Sequence, residues 1–105
     1  MEFLVEFEIA IPEGTTEPEV KDREDAEADV AAKLVEEGHL IRVWKLPVAS
    51  GETQILSLYR ADSEAELDGL LRALPLYGWM RVSVTPLAPH PNDPARSPVT
   101  DGSRS

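Results

Sequence analysis

The run EFLVEFEIAIP at residues 2–12 alternates with a period of two. Phe3, Val5, Phe7, Ile9 and Ile11 fall on one side, and Glu2, Leu4, Glu6, Glu8 and Ala10 on the other. That period describes a strand with one buried face, ended by Pro12 and the turn EGTT. From about Glu17 to Glu37 the period becomes helical, with Pro18 in the first turn, acids at the favourable N-terminal end and Gly38 as the stop. The segments HLIRVWKLPV and TQILSLYRA return to the strand pattern, joined by ASGE as a hairpin loop containing Gly51, and in the first of them Leu40, Arg42 and Trp44 are expected on one face with His39, Ile41 and Val43 on the other. Ser63 caps a second helix, SEAELDGLLRAL, where Ser63 and Glu66 fit a capping box. Pro75 ends that helix, and WMRVSVTPL reads as the fourth strand.

This succession predicts an α+β domain of the ferredoxin-like kind, βαββαβ, with a four-stranded antiparallel sheet and two helices on one face. The domain is expected over residues 1–88. The remainder, 89–105, holds four prolines in seventeen residues and almost nothing apolar, so an extended or disordered tail is expected, ordered at most against a neighbouring subunit. The far side of the sheet carries apolar residues that two helices do not reach. Self-association through that face is the usual remedy.

Charge and composition narrow the function classes. Of 20 acids, 13 lie in residues 1–38 with only three bases, Lys21, Arg23 and Lys33, and the remaining residues are balanced. A nucleic-acid partner requires a basic face, and none is present in the sequence. Most of the acids read as solvated surface. The absence of cysteine excludes disulfides, thiolate metal sites and a cysteine nucleophile. Two histidines, His39 and His90, are too few for a His-rich metal centre, and no EF-hand spacing occurs. No apolar run reaches membrane-spanning length and no basic, apolar leader opens the chain, so no membrane partner and a cytosolic location are expected.

One acid stands apart. With about 100° per residue and Leu34 at the origin, Val20, Val30 and Ala31 form the buried stripe of the first helix, while Asp22, Asp25 and Asp29 point outward. Glu27 falls about 20° from the centre of that stripe, and Arg23 about 20° to the other side. A buried carboxylate without a partner costs several kcal/mol or takes a proton, which raises its pKa toward neutrality. Such a group suits removal and return of a proton on carbon. The plain alternatives are that Arg23 and Glu27, four residues apart, neutralise each other beneath the helix, or that the helix rolls to expose Glu27.

Several motifs, in order and spacing, resemble the muconolactone Δ-isomerase family over residues 1 to about 93. They are the early strand with Phe3, Val5 and Pro12; Glu27, Ala31, Leu34 and Gly38 on and after the first helix; Trp44 followed by Lys45; Ser57, Tyr59, Ser63 and Leu67; and, most specific, LPLYGWM with VTPLAPHP. Each is weak alone. The chain departs from the family where Leu40 and Arg42 replace the usual Trp and His, and where Ala28 replaces a residue that is often basic.

The resemblance implies a cofactor-independent isomerase of the 3-oxoadipate pathway. Its reaction moves a double bond within an unsaturated lactone by acid/base proton transfer on a carboxylate, here Glu27. It also implies a small-molecule partner of that lactone class and a homo-oligomer, a decameric ring in the family. Arg23 would hold the substrate's carboxylate or tune Glu27, and Arg42 would anchor an anion where the histidine is lost. Trp44 and Trp79 would line a flat ligand, Tyr59 and Tyr77 would donate hydrogen bonds, and His90 would cap a neighbour's pocket. Packing is the competing role for the four aromatic residues, and plain surface exposure for Arg42 and His90. Two other functions use the same residues: cyclisation or isomerisation of a polyketide-like intermediate, and non-catalytic binding of a small molecule by an oligomer.

Overall fold

Four strands and two α-helices follow one another in the expected order. The computed structural model describes residues 1–47 and 53–95 of the 105. Its elements are β1 (Glu2–Ile9), α1 (Glu17–Glu36), β2 (Leu40–Leu46), β3 (Thr53–Arg60), α2 (Glu64–Arg72), a 3-10 turn at Tyr77–Trp79, and β4 (Met80–Leu87). The loop expected at residues 49–52 and the part of the tail from residue 96 onward lie outside the described residues.

Local chemistry sets the helix ends. Thr16 Oγ1 accepts the Glu19 amide and the Glu19 carboxylate accepts the Thr16 amide, both at 3.3 Å, a reciprocal cap that starts α1. At its other end, His39 N–H donates to Leu34 O and Gly38 N–H to Val35 O, with Gly38 at φ +82°. That left-handed turn is why a glycine stands there. In α2, Ser63 Oγ accepts the Glu66 amide as expected, but the Glu66 carboxylate takes the amide of Asp62 at 2.7 Å. The reciprocal bond is displaced by one residue.

The sheet order is β2-β3-β1-β4, antiparallel throughout. Residues directly opposite each other share a face, so Phe3 aligns with Tyr59 and Pro86, Val5 with Ser57 and Val84, and Phe7 with Ile55 and Val82. This face meets the helices. Phe3, Val5, Phe7, Leu40, Tyr59 and Ala61 form one cluster with Leu34 of α1 and with Leu67, Leu71 and Leu74 of the α2 region. Ser57, buried among them, satisfies its hydroxyl on the Val5 carbonyl at 3.0 Å.

Two expectations about strand faces are corrected. Ile11 is 49% exposed, because pairing stops at Ile9 opposite Met80 and the Ala10 amide closes the ladder on Trp79 O. In β2, a bulge falls between Leu40 and Arg42, so Leu40 pairs with Tyr59 while Arg42 pairs with Leu58 and Trp44 with Leu56. The extra residue reverses the alternation. Leu40 therefore joins the core, whereas Arg42 and Trp44 stand on the opposite face with Leu4, Leu56 and Leu58. Among the described residues, no helix is long and apolar enough to cross a membrane.

Candidate active site

Every acid of α1 and its flanks except Glu27 is exposed. Glu27 is half-buried because it lies on the stripe that also carries Val30, Ala31 and Leu34. Its Oε1 accepts the Leu76 amide at 3.0 Å. Burial pushes the carboxyl above the ordinary glutamate range, and the Leu76 N–H, which favours the ionised form, pulls it partly back. Removal from water is the larger of the two influences.

The Leu76 amide is held by the segment between α2 and β4. Pro75 cannot continue the helix, and the buried side chains of Leu74 and Leu76 pin the chain on either side of it. Amide bonds from Leu74 to Leu71 O, from Tyr77 to Leu74 O and from Trp79 to Leu76 O tighten the turn. Arg23 does not pair with Glu27. Its Nη1 donates to Pro75 O at 3.0 Å, and its guanidinium lies 4.6 Å from the centre of the Trp79 ring.

Tyr59 reaches the same region from β3. Burial first, and then the charge of Glu27, push its phenol far above the ordinary range, so it stays a neutral donor at physiological pH. Among the described residues its hydroxyl has no hydrogen-bond partner, and the charge of Glu27 is felt there. Tyr77 is partly buried against the core, with Arg72 at 5.8 Å from its ring centre. The structure thus gathers Glu27, Arg23, Tyr59, Tyr77 and Trp79 on the helix side of the sheet and in the turn that faces α1.

Three candidates lie elsewhere. Arg42 stacks at 4.9 Å over Trp44 on the opposite sheet face. The path to His90 leaves the sheet at the Leu87–Glu2 pair, the end away from Trp79 and Met80. The exposed His90 ring accepts the Asn92 amide at 3.0 Å. Two groups that bond to these side chains escaped the sequence reading, the Pro75 carbonyl and the Leu76 amide. Both are backbone groups without a residue signature, although a proline directly after a helix is the local signal that such groups are free to bond elsewhere. Among the described residues, no group of three or more His, Asp or Glu is placed to hold a metal ion.

Comparison with known proteins matches residues 1–93 to the family model of muconolactone delta-isomerase. Muconolactone Delta-isomerase 1 of Acinetobacter lwoffii is 35% identical over 95 residues, covering 88% of this chain and 93% of the relative. The muconolactone Delta-isomerase of Cupriavidus pinatubonensis is 32% identical over 92 residues, covering 88% and 97%. A crystal structure of muconolactone isomerase superposes with a TM-score of 0.76 at 24% identity, covering 96% of this chain and 98% of the other. A 5-chloro-2-hydroxyhydroquinone dehydrochlorinase from Burkholderia phenoliruptrix shares the fold at a TM-score of 0.62 and 16% identity, over 84% of this chain and 94% of the other.

Proposed function

The chain belongs to the muconolactone delta-isomerase family, and from that footing we propose that this isomerase moves a double bond in a muconolactone-type unsaturated lactone through Glu27. The observation that carries this reading is the state of the Glu27 carboxyl. It is half-buried and raised by burial, with one oxygen fixed by a backbone amide and no basic side chain paired to it among the described residues. A salt-bridged carboxylate would be a poor proton carrier, whereas burial raises this one above the ordinary glutamate range and makes it readier to take a proton and return it.

The chemistry then runs in two proton transfers. Ionised Glu27 removes the γ proton of the conjugated lactone, and the electron pair of the broken C–H bond moves through the ring to the carbonyl oxygen. The resulting dienolate oxygen accepts a hydrogen bond from the neutral Tyr59 phenol. Neutral Glu27 next delivers the proton to the α carbon, the enolate electrons form the new C–H bond, and the double bond is left between the β and γ carbons. Atoms and charge balance without a cofactor. Trp79 and Tyr77 supply flat apolar surface for the ring.

Self-association and a cytoplasmic location complete the proposal. The sheet face opposite the helices bears Leu4, Leu46, Leu56, Leu58 and Trp44, which supports burial against further copies of the chain, as the decameric ring expected from the resemblance would require. Light scattering is expected to give an assembly, and a compact monomer would remove this part. For the activity, purified protein is mixed with muconolactone and appearance of the enol-lactone is followed spectroscopically. Turnover well above background is expected; none at any pH would overturn the substrate assignment.

A further inference from the structure

Arg23 and Glu27, one helical turn apart on α1, grip the two ends of a single peptide unit. Arg23 Nη1 donates to Pro75 O at 3.0 Å, and Glu27 Oε1 accepts from Leu76 N at 3.0 Å. The Pro75–Leu76 peptide is trans, so its carbonyl and its N–H point in opposite directions. The guanidinium thus pulls on one pole of the peptide dipole and the carboxylate on the other. A hydrogen bond at the carbonyl strengthens the amide as a donor on the same unit. Trp79 provides the flat seat that keeps the guanidinium in place, and its own amide closes the turn on Leu76 O at 2.8 Å.

We propose that Arg23 is a positioning residue, holding the Pro75 carbonyl so that the Leu76 amide of the same peptide unit fixes Glu27 Oε1 and leaves Oε2 to carry the proton. This rests on the catalytic reading of Glu27 and assigns Arg23 to the peptide instead of to the substrate's carboxylate. It also gives a reason for the missing ion pair. A direct Arg23–Glu27 bridge would hold the carboxyl ionised, whereas the intervening peptide passes on orientation and only part of the charge. Burial and the Leu76 amide set the titration of Glu27. Of the neighbouring groups, Tyr59 on β3 stays neutral, the Tyr77 ring in the turn is engaged by Arg72, and Arg23 on α1 is bound to the Pro75 carbonyl.

The test follows the Leu76 amide by ¹⁵N–¹H NMR through a pH titration of the full chain, in wild type and in Arg23→Met, alongside muconolactone kinetics. In wild type the Leu76 amide proton is expected to move downfield as Glu27 ionises. In Arg23→Met that movement shrinks, its midpoint goes to higher pH because the ionised carboxylate loses support, and kcat falls about 10-fold with KM changed less than about twofold. An unchanged movement and midpoint in the folded variant would overturn the proposal. So would a silent Leu76 amide in wild type, or a large rise in KM at constant kcat, which would mark Arg23 as the substrate's anchor. Should Arg23→Met fail to fold, Arg23→Ala removes the same donor at a helix-favouring residue and is read in the same way. Full turnover by Glu27→Gln would sink the catalytic reading alone, while the Leu76 titration would still decide whether Arg23 positions Glu27.

Discussion

Glu27→Gln is expected to lower kcat for lactone isomerisation by about 10²–10⁴-fold while leaving the protein folded and, at neutral pH, more stable than wild type. The two halves of this result have one cause. Glutamine keeps the shape of the side chain, and its amide oxygen still accepts the Leu76 N–H at the site where Glu27 Oε1 lies 3.0 Å away. It cannot take or give a proton at physiological pH. Burial raises the Glu27 pKa in the folded chain above its value in the unfolded chain. Between those two values the folded state binds more protons, so stability falls as pH rises through that window. Above the window the cost of the buried charge is fully present, and glutamine removes it. Below the ordinary glutamate range both states hold a neutral carboxyl and the advantage of the variant disappears. Denaturation midpoints at about pH 7 and about pH 3 measure the second half, and steady-state rates the first. A variant that loses activity only because it unfolds would contradict this account.

The second large effect is structural. Phe3→Ala is expected to cost about 3–5 kcal/mol, the range for truncating a fully buried phenylalanine. Phe3 is completely buried on the inner strand β1, between Tyr59 on β3 and Pro86 on β4, in the cluster that also contains Leu34 and Leu67. No nearby side chain can fill the space without leaving its own packing. Small domains hold only about 5–15 kcal/mol in total, so the loss is a large share of the margin and would lower Tm by roughly 15–30 °C. Val43, by contrast, is 52% exposed at the edge, and its replacement by alanine should stay within about 0.5 kcal/mol. Chemical denaturation of both variants provides the comparison. A Phe3→Ala cost below about 1 kcal/mol would mean that the core is not where these contacts put it.

Much of this site was legible in the residues, for a definable reason. The 3.6-residue period of a helix is a property of its backbone, so one buried leucine is enough to orient the whole of α1 and to separate Glu27 from Asp22, Asp25 and Asp29. Arg23 lies near the same stripe yet is exposed, because its long stem lets the guanidinium swing out to Pro75 and Trp79. Alternation along a strand is more fragile. One additional residue at Ile41 turned Arg42 and Trp44 to the far face, and nothing in LIRVW marks that bulge. The peptide between Pro75 and Leu76 was unreadable for a different reason. Its two polar atoms are common to every residue, and only the fold brings them against α1.

The pH dependence of kcat/KM on muconolactone tests the central claim most directly, since it reads the ionisation of the catalytic group in the free enzyme. The account predicts activity that rises with pH along a single acid limb, with a midpoint above the ordinary glutamate value of 4.5, and no such limb in the residual rate of Glu27→Gln. A limb at or below that value, or one that survives intact in Glu27→Gln, would contradict it.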